Sequence, residues 1–199
     1  MESIIEGGWV MLALLACSVV AVAIIVQKLI LLKQTAIRPQ FFDAMHQKLR
    51  TQPPQTVLKE LQFSDHVEGA IASAGITHAN ATDAQITAEL AKITQSEADR
   101  LTSKMNLLSV IITTAPVFGL LGTVLGLMDV FSVIALEGAP KASLLSAGIS
   151  KALVTTVAGL SLAIPLMFIN QYLASRMQRQ FVAWERLGAA VVATMRQPK

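Results

Sequence analysis

The chain has 199 residues, of which 53% are hydrophobic and 15% charged, with a mean hydropathy of +0.57. It is too apolar for an ordinary soluble domain and short for a large transporter. The formal net charge is +3, and the cations lie in two segments without interleaved aromatic residues, a pattern that argues against nucleic-acid binding.

In chain order, residues 1–8 hold Glu2 and Glu6 and no Lys or Arg. An uncharged run from Trp9 to Val26 follows and continues past Lys28 to Leu32. The run is longer than a signal-peptide core and lacks a basic leader, so 9–32 reads as a retained transmembrane helix. Lys28 is expected to snorkel toward the headgroups. Cys17 is the single cysteine and lies inside this span, which excludes an intrachain disulfide.

Residues 33–82 read as a helical loop. Pro39 and the pair Pro53-Pro54 punctuate short helices at Phe41–Leu49, Thr56–Gln62 and Val67–Ala74. Asp65-His66-Val67-Glu68 could suggest metal ligands, but such a run on a short helix reads as a solvated face, and His46 and His78 are isolated. No nucleotide-binding loop, metal-ligand cluster or nucleophile–base pair appears. No catalytic residue, metal or organic cofactor is therefore expected.

Thr82-Asp83-Ala84-Gln85 has capping-box spacing and opens a long helix over 83–134. Ile86, Leu90, Ile93, Leu101 and Met105 recur at helical spacing, and nothing before Pro116 stops the helix. It is expected to run unbroken into the uncharged second span, Leu107–Met128, over about 50 residues or about 75 Å if straight. Residues 135–148 read as an outer turn around Glu137-Gly138-Ala139-Pro140. A second long helix over 149–195 contains the third span, Ala152–Leu173, and Phe181, Trp184, Leu187 and Val191 continue its phase beyond the membrane.

These elements define an all-α membrane protein with three transmembrane helices, the second and third extended into a cytoplasmic helical bundle. Apolar stripes outside the bilayer need covering, within the chain and between chains. Lys33, Arg38, Lys48, Arg50, Lys59, Lys92, Arg100 and Lys104 crowd the long loop, and Arg176, Arg179, Arg186, Arg196 and Lys199 the tail. The positive-inside rule then sets the N-terminus and the 135–148 turn outside, and the loop and tail in the cytoplasm.

The spans are unusual in detail. Span two reads Ala115-Pro116-Val117-Phe118-Gly119-Leu120-Leu121-Gly122-Thr123-Val124-Leu125-Gly126. Its small residues four apart leave a face that another helix can approach closely. In span three Thr155, Gly159 and Ala163 form a similar ridge, with Thr156 beside it. Pro116 and Pro165 lack an amide hydrogen, so each frees a carbonyl and can kink its helix. A threonine hydroxyl in a membrane helix can bond back to its own preceding turn, or it can face a pore. No Asp, Glu, His, Lys or Arg lies in the middle of any span; Asp129 and Lys151 mark the outer ends of spans two and three. If ions cross here, another chain must supply the ionisable group.

Ala115-Pro116-x-x-Gly119-Leu120-Leu121-Gly122-Thr123-Val124-x-Gly126, then Ile149-Ser150-Lys151-Ala152-Leu153-Val154-Thr155-Thr156-x-x-Gly159-Leu160-x-x-Ala163-Ile164-Pro165, resembles the paired signatures of the MotA/TolQ/ExbB proton-channel family. Three spans are similar to ExbB and TolQ rather than to four-span MotA, and the wording inclines to ExbB. The resemblance implies an oligomeric ring, a homopentamer around a dimer of an ExbD-like single-span protein that carries the membrane aspartate. It implies protons as the coupling ion, a TonB-like protein as recipient of the work, and the inner membrane of a Gram-negative bacterium. Thr123 and Thr156 fall on the family's pore-lining threonines. Gly119, Gly122, Gly126 and Gly159 pack the helices that Pro116 and Pro165 kink. Lys151 stands where the family often has glutamate; pairing with Asp129 or Glu137 is one expectation, interfacial snorkelling another. Alternatives are a TolQ-like subunit of the Tol-Pal envelope system, or a scaffold that holds a single-span partner and conducts nothing.

Overall fold

The structure is a computed structural model that describes residues 8–36, 39–62, 66–78, 81–137 and 142–196. Among the described residues the regular elements are helices, with no strand. In order they are α1 (Gly8–Thr35), α2 (Pro39–Thr51), α3 (Pro54–Gln62), α4 (Val67–Thr77), α5 (Asp83–Thr102), α6 (Met105–Glu137) and α7 (Ala142–Arg196). Pro39 and Pro54 each open their helix, where a missing N–H costs no ladder bond. At the start of α5, Gln85 Oε1 accepts the Thr82 backbone N–H at 3.1 Å, the glutamine arm of a capping box.

Two compact units divide the chain. One comprises Met1–Gln27 and Lys104–Tyr172; the other comprises Lys28–Ser103 and Leu173–Lys199.

In the first unit the apolar parts of α1, α6 and α7 meet at Leu14, Ala115 and Ala163, with Met11, Phe118, Ala158 and Leu162 packed around them. Small side chains at this centre let the helices approach closely, so packing contacts substitute for the hydrophobic drive that lipid cannot supply. The outward surface is strongly apolar: Leu12 and Val117 are each 62% exposed and Phe168 is 73% exposed. Among the described residues three helices are long and apolar enough to cross a membrane.

The second unit is a helical bundle with an ordinary buried core. Trp184, Leu187 and Val191 of α7 are buried, as are Ile71 and Ile76 of α4 and Ile86 and Leu101 of α5. The stripe that continues span three is therefore covered by the chain's own loop helices; Phe181 is half-buried and packs against Trp184 with ring centroids 5.5 Å apart and planes tilted by 46°. Close approaches fix the arrangement. A methyl at Gly75 of α4 would stand 2.8 Å from Val191 of α7, and one at Gly188 of α7 would stand 2.8 Å from Leu90 of α5. Trp184 Nε1–H donates to the Thr35 carbonyl at 3.4 Å, so the indole nitrogen is satisfied inside the core.

Three expectations change. The helix over 83–134 is not unbroken: α5 ends at Thr102 and α6 begins at Met105. Ser103 is extended, at φ −49° and ψ 140°, and Lys104 adopts φ 64°. No glycine or proline marks the break, because a distant contact holds it. The Arg100 carbonyl accepts Ser103 Oγ at 2.7 Å and Lys28 Nζ at 3.2 Å, and Lys28 Nζ also donates to Ser103 Oγ at 3.2 Å. A cation and a hydroxyl thus satisfy a C-terminal carbonyl that a continuous ladder would have used. By the same token Lys28 does not snorkel to water; it is fully buried. Lastly, helix claims much of the 135–148 turn, since α6 extends to Glu137 and α7 starts at Ala142. Gly138-Ala139-Pro140 lies outside the described residues.

Candidate functional site in the seam of α6 and α7

The small residues of spans two and three meet in an antiparallel seam. A methyl on Gly159 would lie 2.6 Å from the Ala115 carbonyl oxygen, and one on Gly119 would lie 2.9 Å from the Thr155 carbonyl oxygen. A methyl on Gly122 would overlap the Thr155 side chain, and one on Gly126 would sit 2.8 Å from Ala152 Cβ. Real Cβ atoms do not approach so closely, so backbone-to-backbone contact here depends on glycine. Thr155, Ala152 and Ala163 on the opposing ridge are 2–3% exposed. Pro116 is half-buried and Pro165 exposed, both inside helices that continue past them.

Hydroxyls converge on one carbonyl across this seam. Thr156 Oγ1 donates to the Gly119 carbonyl at 3.0 Å. Thr155 Oγ1 lies 3.1 Å from the same oxygen and 2.7 Å from its own-turn carbonyl, Ala152. Thr123 behaves differently: its hydroxyl donates back to Leu120 at 2.6 Å. Thr113 and Thr114 also bond to carbonyls of the preceding turn. A hydroxyl that has spent its proton on a carbonyl keeps lone pairs, so it presents an acceptor to whatever faces it. Thr123 and Thr156 are both half-buried by this chain. The register sets Thr123, which lies between Gly119 and Gly126, within about one turn of Thr156 along the seam.

Sequence reasoning singled out Thr156 and passed over Thr155, which is the more buried and locks the seam with a bond of its own. The signal was present: Thr155, Gly159 and Ala163 share one ridge, so Thr155 had to point into the helix contact.

Asp129 and Lys151 line one recess of about 210 Å³ with Gly126, Val130, Leu145 and Gly148. Both are exposed, and among the described residues no ion pair within 4.0 Å joins them. Among the described residues the expected pairing of Asp129 with Lys151 is thus not formed, because solvent-facing Asp and Lys gain little from closing. The Glu137 side chain lies outside the described residues. Among the described residues no cluster of His, Cys, Asp or Glu could hold a metal ion.

Three apolar helices, two of them joined through a glycine seam with hydroxyls crossing it, define a multi-pass helical membrane protein. Residues 63–186 match the family model described as the MotA/TolQ/ExbB proton channel family, and the chain belongs to that family. It is 35% identical over 178 residues to biopolymer transport protein ExbB-like 3 of Synechocystis sp., covering 88% of this chain and 85% of that one. An ExbB homologue of Methanothermobacter thermautotrophicus is 31% identical over 140 residues, which are 69% of this chain and 49% of the relative. Biopolymer transport protein ExbB of Aquifex aeolicus is 31% identical over 87 residues, 44% of this chain and 59% of that one.

Proposed function

We propose that the chain is the ExbB-type proton-channel subunit of an inner-membrane motor, converting proton-motive force into mechanical work for TonB-dependent outer-membrane transport. The observation that carries this reading is the convergence of Thr155 and Thr156 on the Gly119 carbonyl, in spans two and three, which hold no Asp, Glu, His, Lys or Arg. Such a wall is polar enough to solvate a proton carrier and cannot itself be one. The carrier is then an aspartate on a single-span, ExbD-like partner, two copies of which sit inside a pentameric ring of this chain. Thr123 and Thr156 face that aspartate. Their lone pairs accept from its protonated, neutral form, and rotation of either hydroxyl lets it donate to the ionised form. Protons are the coupling ion. Each charge that crosses about 150 mV releases roughly 3.5 kcal/mol, so a few protons suffice for a conformational step. The names of the relatives favour ExbB over TolQ as the model for the recipient, a TonB-like protein.

Thr156→Val, nearly isosteric, tests the assignment in the complete complex with its single-span partner, reconstituted in liposomes under a potassium diffusion potential. Proton uptake is expected to fall at least tenfold while partner co-purification is unchanged, and Thr156→Ser is expected to retain most of the flux. Flux unaltered in Thr156→Val would remove the threonine from the pathway. A wild-type complex that holds its partner and conducts nothing would make the protein a scaffold.

A further inference from the structure

A second line of polar residues runs along α6 outside the glycine seam. Asn106, Ser109, Thr113, Pro116, Leu120 and Thr123 follow one another at steps of three and four, so they share one face of the helix. Asn106, Ser109 and Thr113 are exposed in this chain, and Thr123 is half-buried. The neighbouring exposed face is different in kind: Val110, Val117, Leu121, Val124 and Met128 make it suited to lipid. Thr114 on that side is back-bonded to Val110, so a lone back-bonded threonine does not by itself mark a wet surface. The run of three polar side chains, with Pro116 on the same line, does. Pro116 brings no N–H to the Ile112 carbonyl one turn below it, leaving a backbone acceptor beside Thr113. Thr113 Oγ1 gives its proton to Ser109 and Val110 carbonyls at 3.1 and 3.0 Å, which leaves its lone pairs for water. Beyond Thr123 the same spacing meets Leu127 and Ile134, both apolar. The polar line therefore joins the threonine level to one end of the helix only.

We propose that Asn106, Ser109 and Thr113 form a hydrated half-path from Thr123 to the Met105 end of α6, through which protons pass between the threonine level and the aqueous phase on that side. Beyond Thr123 the described part of α6 carries no such line, and the far half of the route depends on groups of the single-span partner. This rests on the channel reading above and adds its direction and its inner wall. The oxygens act as positioning acceptors for a chain of water; they do not themselves ionise.

Two measurements on the complete complex test it. In a Cys17→Ala background, single Ser109→Cys, Thr113→Cys, Val110→Cys and Leu127→Cys variants are treated with a small cationic methanethiosulfonate in liposomes. Labelling at 109 and 113 is expected at least tenfold faster than at 110 and 127; rates within twofold of one another overturn the hydrated face. The double variant Ser109→Ala/Thr113→Val is expected to lower proton flux at least fivefold with partner retention intact, and Thr113→Ser to preserve it. Fast labelling with flux unchanged in the double variant overturns the route while leaving the channel standing. A wild-type complex that conducts no protons overturns the channel, and the route with it.

Discussion

Gly159 and Gly188 lie on the same helix, yet an added methyl would meet different neighbours. At Gly159 it would lie 2.6 Å from the backbone oxygen of Ala115, and at Gly188 it would lie 2.8 Å from the tip of the Leu90 side chain. A backbone oxygen in a packed helix cannot step aside, whereas a leucine can change rotamer. Gly159→Ala is therefore expected to destabilise by about 1–3 kcal/mol, the usual range for overpacking, and Gly188→Ala by less than about 1 kcal/mol. Denaturant titration of the purified protein in detergent, followed by tryptophan fluorescence, distinguishes the two. The glycine ridge was legible in the sequence because close helix approach demands small residues at fixed spacing. The division of labour between Thr155 and Thr156 was not, since adjacent positions differ by only about 100° around the axis. Which of them is sealed in the seam depends on the rotation of both helices.

For the elements, the boundary between α5 and α6 is the clearest lesson. Local pattern favours continuity there, and the Lys28 contact overrides it. Lys28→Met removes a charged donor from the Arg100 carbonyl and Ser103 Oγ, so the expected cost is about 1–3 kcal/mol. Hydrogen exchange by mass spectrometry is expected to speed up in peptides covering the last turn of α5, with peptides from the middle of α6 unchanged. Equal protection in wild type and variant would show that the break is held by other means. In the same unit as Lys28, Trp184 is fully buried, and Trp184→Ala is expected to cost about 3–5 kcal/mol. Limited proteolysis is expected to release fragments from the 39–102 segment in that variant long before the membrane-spanning segments are cut. Here the sequence was informative: an apolar stripe continuing past the membrane had to be buried, and the loop helices were its available cover.

At the scale of the whole molecule, the distribution of surface decides how the chain can exist. Exposed Leu12, Val117, Phe131, Val157 and Phe168 are far more apolar than a soluble surface tolerates. The protein is expected to stay with membranes under alkaline carbonate and to be released only by detergent. Its cations cluster in the loop and the tail, so a reporter enzyme fused after Lys199 is expected to be active in the cytoplasm, with one fused ahead of Met1 active outside. The reverse result would invert the direction assigned to the polar line of α6.

By itself the sequence determined the class of the protein. Three uncharged stretches long enough to span a bilayer, paired small-residue motifs and the asymmetry of Lys and Arg are one-dimensional signals, because hydropathy, helical spacing and charge count need no knowledge of neighbours. Tertiary structure alone decided where the long helix breaks, what becomes of Lys28, that Thr155 and Thr156 both reach the Gly119 carbonyl, and that Asp129 and Lys151 share a recess without pairing. Each of these depends on groups far apart in the chain, and on distances of an ångström or two that residue order does not encode.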